Sequence, residues 1–220
     1  MGTSNKGRWY KLLIQKMDQS IADKYYFETI FIEYMIIDDR LKSLANLAGV
    51  ELVKSDGSPK MVGQLIDDLK ARLVELTSQE KSNLEEKRIP QWAMLKVGIP
   101  IGSKDLVKAI KKRKYPMELI DECINSRAII NVEKSPKTGK LLSKYGSNNE
   151  PILTQIQKWI DLRNHWMHAA GNDALTLDEY EADITPLAID GATFTRELCA
   201  ITMKIKRSIK RVSKNITEKK

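Results

Sequence analysis

Cysteine and histidine are scarce in this chain, with two of each among its 220 residues. Cys123 and Cys199 stand far apart without the paired spacing of a structural zinc site, so we interpret both as small apolar core residues in a reducing compartment. His165 and His168 are three residues apart with no glutamate between them, unlike the His-Glu-x-x-His pattern of zinc proteases. We therefore predict no metal and no other cofactor.

Phosphate-binding loops and long apolar runs are also lacking. The segment 98–102, with a glycine at each end and one proline, is typical of a turn and not of a Walker or dinucleotide-binding loop. Nothing marks a nucleophile elbow, although a Ser-His-Asp triad stays open. The apolar run at 12–14 is three residues long, and no stretch approaches the length of a membrane span. We expect a cytoplasmic protein that does not enter a membrane.

Helical periodicity is what the chain does have. Apolar residues repeat at helical spacing through most of the sequence, which predicts an all-α fold. The length suits one domain, 1–220, with an irregular and helical elaboration over 91–150 and a basic helix or tail over 201–220. The longer helices are predicted over about 21–48, over about 60–87, from Pro151 to Gly171, and from about Ala192 onward after a connector with Pro186.

The first of these helices is apolar nearly all round. One stripe faces the core, and Ile32, Met35 and Ile36 lie on the opposite side, so we expect burial on two sides. The second side faces either a dimer partner or the elaboration around 91–115, and the sequence does not decide between them. The predicted stripe consists of Tyr26, Phe27, Ile30, Phe31, Tyr34, Ile37, Leu41, Leu44 and Ala45.

The hexad 163–168, Arg-Asn-His-Trp-Met-His, places polar groups on an otherwise apolar helix. Arg163 falls inside the apolar stripe, where a guanidinium must find partners because an unpaired buried charge is strongly destabilising. Asn164 and His168 are four apart and share one shoulder of the stripe, whereas His165 points toward the polar side. His168 is therefore the better candidate of the two histidines.

An arginine followed by asparagine, with a histidine four to six positions after the arginine and late in an all-helical domain, resembles the motif of HEPN-domain ribonucleases. The resemblance covers this one helix, and the remaining chain matches only as helical context. It implies a HEPN-like antiparallel bundle in which Arg163 and His168 cleave RNA without a metal and two protomers join their motifs across a dimer interface. It also implies a toxin or effector in prokaryotic antiviral defence or a toxin-antitoxin system, controlled by an antitoxin or another regulatory protein.

The chemistry of RNA cleavage suits these residue types. The 2′-hydroxyl of RNA is an internal nucleophile, so an enzyme need only move protons and stabilise charge on the phosphate. We expect His168 to be the general acid or base, Arg163 the phosphate clamp, and Asn164 a hydrogen-bonding group that fixes the geometry. Arg163 and His168 are about 140° apart on one helix. Two copies meeting across a two-fold axis would line one cleft with both.

Three residues of the first long helix are candidate supporting groups. Asp38 is the single carboxylate in its predicted stripe, and a pair with Arg163 would be either structural or a means to orient a catalytic arginine. Glu33 and Arg40, seven apart, share the flank of the helix and are predicted to support the site. A solvated ion pair with neighbouring residues is the alternative for these two.

Positive charge is concentrated in two places. Of a net charge of +8, residues 201–220 supply eight lysines and arginines against one glutamate, a balance of +7. A second cluster occupies 111–114. Basic patches of this density suit RNA phosphates, although such a tail can also serve only for solubility. The predicted RNA-binding residues are Lys111, Lys112, Arg113, Lys114, Lys204, Arg207, Lys210 and Arg211.

The sequence thus predicts a homodimeric, metal-independent endoribonuclease. A noncatalytic HEPN-like scaffold that binds RNA or protein, with a structural Arg163, is the alternative. A basic helical DNA-binding regulator is a third interpretation, but the sequence has no evident recognition helix.

Overall fold

The computed structural model describes residues 5–85, 151–169 and 177–217. Every regular element in these ranges is an α-helix, which confirms the all-α prediction for the described part of the chain. None of these helices is long and apolar enough to cross a membrane. The predicted elaboration over 91–150 lies outside the described residues. The helices are α1 (Asn5–Ala22), α2 (Tyr26–Ala48), α3 (Val62–Glu85), α4 (Ile152–Ala169) and α5 (Leu177–Thr217).

A tight turn separates α1 from α2. The Lys24 N–H donates to the Ile21 carbonyl and the Tyr25 N–H to the Ser20 carbonyl, the paired bonds of a Schellman cap. Lys24 occupies the left-handed position of this cap with φ 62°, where glycine is the usual residue. The helix predicted over about 21–48 therefore begins too early but ends as predicted, and α1 itself is not predicted, because a lysine at the cap gives no stop signal in the sequence.

The end of α2 uses the same cap with the expected residue. Gly49 has φ 73°, and the Val50 N–H donates to the Ala45 carbonyl. The loop to α3 turns at Gly57 and is closed by Ser58, which donates its backbone N–H and its hydroxyl to the Asp56 carboxylate. The helix that follows matches the prediction to within two residues, because a clear apolar stripe and polar flanks define it.

The last helix is longer than predicted. α5 begins at Leu177 and contains Pro186, whereas the sequence predicts a connector at this proline and a helix only from Ala192. A proline inside a helix removes one backbone donor and is unfavourable by roughly 3 kcal/mol. Tertiary packing offsets this penalty, since residues on both sides of the proline are buried on one face. They include Ile184, Leu187, Ala188, Ala192, Phe194 and Leu198.

The described helices fall into two compact units. The first contains α1, α2 up to Leu41, α4, and α5 up to Cys199; the second contains the end of α2, α3, and α5 from Ala200. The single domain predicted from the chain length stays a prediction. Buried side chains of the first unit include Met17, Ile30, Ile36, Trp159 and Phe194, and those of the second include Leu44, Leu65, Ile66 and Leu69.

The buried face of α2 differs from the predicted stripe. Ile30, Ile37 and Leu41 are buried as expected, and so are Ile32 and Ile36. The two phenylalanines of the stripe are instead exposed, which corrects the prediction for them. The helix is buried on one broad side, and its exposed apolar side chains are Phe27, Phe31 and Met35.

Candidate functional site at the carboxyl end of α4

The hexad lies on the last turns of α4, in the first compact unit. The Pro151 carbonyl accepts the Thr154 and Gln155 N–H groups, so the helix begins where the proline predicted it. Its apolar stripe is buried as expected through Leu153, Ile156, Trp159, Ile160 and Trp166. The predicted stop at Gly171 lies outside the described residues.

Arg163 sits within this stripe and is only partly exposed. Its guanidinium carbon lies 4.4 Å from the centre of the Tyr34 ring on α2, a cation–π contact. Nη1 donates to the Asn164 side-chain oxygen at 2.9 Å, and the buried Nε has no hydrogen-bond partner among the described residues. The predicted Arg163–Asp38 ion pair is not among these contacts. A ring and an amide leave the guanidinium its full charge, and part of its donor capacity is available to a ligand.

Tyr34 is the site residue that sequence reasoning missed. The periodicity assigns it to the apolar stripe of its helix, and its role as the platform under Arg163 depends on how α2 and α4 pack. An aromatic residue on a helix shoulder is too common to signal such a contact by itself. The stack matters because it fixes a flexible guanidinium without neutralising it.

Both histidines of the hexad are exposed. The His165 ring contacts the Trp166 ring edge to face, with centroids 5.5 Å apart. His168 makes no hydrogen bond to Arg163 or Asn164 among the described residues. One copy of the chain therefore joins Arg163 to Asn164 by a hydrogen bond, and His168 is bonded to neither of them among the described residues.

Glu33 is fully buried, which corrects the expectation of a solvated flank position. Neither of its carboxylate oxygens has a hydrogen-bond partner among the described residues. The carboxyl packs against α5 at Gly191, where an added Cβ would overlap the Glu33 Oε2 and lie 2.6 Å from Trp159 Cζ2. Burial raises the pKa of Glu33 to about 10, and the nearby Arg196 only partly opposes this. Burial therefore favours the protonated, neutral form of Glu33, and no described hydrogen bond or ion pair joins it to Arg163.

Arg40 is buried as well, and it belongs to a cluster between α1 and α2. Its guanidinium lies 3.9 Å from the Tyr10 ring centre, donates from Nε to the Tyr10 hydroxyl, and pairs with Asp39 at 2.8 Å. Tyr10 and Lys6 also donate to Asp39. Burial alone would raise the pKa of Asp39, but these donors lower it to about 2. These contacts join α1 to α2, and the supporting role of Arg40 stays a prediction.

Only part of the predicted RNA-binding set falls within the described residues. The cluster 111–114 lies outside them. Lys204, Lys210 and Arg211 are on α5, and the described side chains do not include theirs, whereas Arg207 on the same helix is exposed. The basic carboxyl-terminal segment is therefore helical as far as Thr217.

Within the described ranges, no group of three or more His, Cys, Asp or Glu side chains could hold a metal ion. Comparison of the chain with protein families, curated proteins and solved structures finds no match. Any function must therefore be inferred from the chemistry of the site.

Proposed function

We propose that this protein is a metal-independent endoribonuclease that acts as a homodimer of HEPN-like bundles. The observation that carries the proposal is Arg163: a partly buried guanidinium held by the Tyr34 ring and the Asn164 amide, which are both neutral. Burying part of a cation is unfavourable unless something offsets it. A phosphate of bound RNA would supply negative charge and accept hydrogen bonds from the planar guanidinium.

The proposed reaction uses the 2′-hydroxyl of the substrate as nucleophile. That oxygen attacks the adjacent phosphorus, the bond to the 5′-oxygen breaks, and a 2′,3′-cyclic phosphate and a 5′-hydroxyl result. His168 removes or supplies a proton, and its exposed position leaves it accessible to the RNA. Arg163 stabilises the charge that develops on the phosphate, and Asn164, bonded to Arg163, restricts the orientation of the guanidinium.

The homodimer follows from the separation of the two groups. Arg163 and His168 are about 140° apart on one helix and share no described hydrogen bond, so a second copy would place a histidine opposite each arginine. The same proposal includes the biological setting that the motif implies, a toxin or effector directed at RNA and restrained by an antitoxin or another regulator.

A noncatalytic scaffold is the second candidate function. It is favoured by one specific observation, the lack of a hydrogen bond between His168 and either Arg163 or Asn164 among the described residues. In such a protein Arg163 would bind an RNA phosphate or an acidic partner, and His168 would be dispensable.

Incubation of the purified protein with bulk RNA in EDTA tests the proposal. We expect cleavage that leaves 2′,3′-cyclic phosphate ends, spares all-deoxy oligonucleotides and is unaffected by the chelator. His168→Ala and Arg163→Ala should each lower the rate by ~10²-fold or more, the scale for loss of a proton-transfer or charge-stabilising group. His165→Ala is the matched control, because His165 is also exposed on the same helix, and it should have a much smaller effect.

Two results would contradict the proposal. Cleavage of DNA would exclude attack by the 2′-hydroxyl, and a strict magnesium requirement would exclude a metal-independent reaction. RNA binding that depends on Arg163, without any cleavage by the wild-type protein, would favour the scaffold.

A further inference from the structure

Aromatic side chains are concentrated at the start of α2. Five of the ten phenylalanines and tyrosines in the chain fall within residues 25–34. Three of them are substantially exposed, with relative accessibilities of 61% for Tyr25, 40% for Phe27 and 56% for Phe31. A folded chain normally buries such rings, so a row of them on one surface indicates a binding site.

Phe27, Phe31 and Tyr34 lie on one side of α2, and Tyr25 immediately precedes the helix. Phe27 and Phe31 are one turn apart, about 6 Å along the helix axis, and Tyr34 follows at the next helical neighbour position. At the other end, a depression of about 460 Å³ is lined by residues 24–28. A path along these rings therefore leads from this depression to the ring on which Arg163 is stacked.

A cationic side chain lies at each end of the path. Lys24 is exposed at the edge of the depression, and Arg163 lies over Tyr34. The carboxylate beside the path, Glu28, already accepts a hydrogen bond from Ser20 and pairs with Lys16. Asp38 lies one turn beyond Tyr34 along the helix. Aromatic rings between two cations match a ligand that has flat bases on an anionic backbone.

We propose that the three exposed rings at the start of α2, Tyr25, Phe27 and Phe31, here called the α2 stripe, are a stacking platform for unpaired bases of single-stranded RNA. Tyr34 holds Arg163 at the end of this platform. This inference rests on the proposed function, because it directs the strand toward Arg163. Each exposed ring accepts one base, and the phosphates between the bases are held by Lys24 and Arg163. A duplex keeps its bases stacked inside the helix, so the platform selects single strands.

The test measures binding separately from cleavage. A fluorescent, all-2′-O-methyl oligonucleotide of unpaired sequence lacks the nucleophile and is not cut, so anisotropy reports affinity alone. Phe31→Leu keeps an apolar side chain but removes the ring, and it should weaken binding by about 5- to 150-fold, the range for loss of one stacked base. Phe31→Trp should retain wild-type affinity.

Leu12→Ala is the matched control for surface apolarity, since Leu12 is 56% exposed on α1 in the same unit. It should leave binding unchanged. A strand of the same length with abasic sites should bind weakly and equally to the wild type and Phe31→Leu, because no base is left to stack. Circular dichroism of each variant checks the helical content.

The outcomes separate this inference from the proposed function. Wild-type binding that Phe31→Leu leaves unchanged overturns the platform, even if the protein cleaves RNA. If the wild type binds RNA without cleaving it and Phe31→Leu weakens that binding, the nuclease is overturned and the platform is supported. Loss of a dimer in Phe31→Leu with unaltered RNA affinity assigns the stripe to a second copy and overturns the inference. Absence of RNA binding overturns both.

Discussion

Glu33 is a carboxylic acid that keeps its proton inside a hydrophobic core. It is surrounded by Trp159 and the backbone of α5 at Gly191, and its oxygens have no hydrogen-bond partner among the described residues. Ionisation would place an unpaired charge in this core, and burial therefore holds the pKa at about 10 despite Arg196 nearby. The residue links stability to pH through a group that lies away from the proposed site.

The pH dependence of the free energy of unfolding should reveal the raised pKa of Glu33. The pKa of Glu33 is about 10 in the fold against an ordinary value of 4.5. The native state thus binds one more proton than the unfolded chain between these values, and stability falls as pH rises through that window. Between about pH 6 and about pH 9 the slope approaches 1.4 kcal/mol per pH unit for this group. Urea unfolding of the wild type and Glu33→Gln would measure it, and the glutamine variant should lose the slope.

Glu28→Gln provides the control on the same helix. Hydrogen bonds from Ser20 and Lys16 lower the pKa of Glu28, so its contribution disappears on acidification and not at alkaline pH. This variant should keep the alkaline slope of the wild type. If the free energy of unfolding of the wild type were equal at about pH 6 and about pH 9, a neutral Glu33 would be contradicted.

Arg163 and Glu33 differ in how well the sequence predicts the environment of a single residue. The position of Arg163 on the buried stripe could be predicted, because α4 has a regular apolar period and a proline at its start. The burial of Glu33 could not, since the predicted stripe of α2 is centred on aromatic residues, two of which the structure leaves exposed. A glutamate is rarely assigned to a core without a visible partner.

The first part of α5 departs from expectation, because the sequence predicts a connector there. Proline is a strong local stop signal, yet the buried face continues past Pro186 without a change of period. The indole N–H of Trp159 donates to the Leu187 carbonyl at 2.9 Å, which fastens α4 to α5 beside the proline. Local propensity predicted α3 and α4 well, but the start of α5 is decided by tertiary contacts that the sequence does not display.

The basic end of α5 can be tested as an element. Deletion from Lys210 onward removes five lysines and arginines and Glu218, a net change of −4 in charge. If these side chains bind RNA, affinity should fall, and the slope of log affinity against log salt should become shallower by ~0.7 for each single-strand phosphate that the variant no longer binds. Filter binding at several salt concentrations measures both.

A full-length variant with the same five positions changed to glutamine is the matched control, because α5 extends to Thr217 and truncation also shortens the helix. Both variants should behave alike, and cleavage at saturating RNA should persist. An unchanged salt slope would identify the tail as a solubility device and direct attention to the cluster at 111–114.

At the scale of the whole molecule, the proposed site requires two chains. Light scattering should report a mass of roughly 50 kDa, twice the 25.1 kDa of one chain. Arg163→Ala and His168→Ala protomers, inactive separately, should regain part of the activity when mixed, since one cleft of a heterodimer can combine an intact arginine with an intact histidine. A fully active monomer would contradict the composite site.

The helical content of the described residues could be predicted from the sequence, whereas the packing of the helices could not, and this difference has a physical cause. Helical content depends on local periodicity, which a single sequence displays directly. The division into two compact units, the exposure of Phe27 and Phe31, and the stacking of Arg163 on Tyr34 all depend on which helix faces are packed together. Such pairings join residues far apart in the chain, and no local pattern encodes them.

The burial of Trp159 has a spectroscopic consequence. All tryptophans among the described residues, Trp9, Trp159 and Trp166, belong to the first compact unit, and Trp159 is the fully buried one. Loss of packing there would transfer its indole from an apolar core to water and shift its emission to longer wavelength. Far-ultraviolet dichroism, in contrast, follows the helices of both units. Comparing the two signals during denaturation would therefore distinguish a molecule that unfolds as a whole from one whose proposed RNA-binding unit opens first.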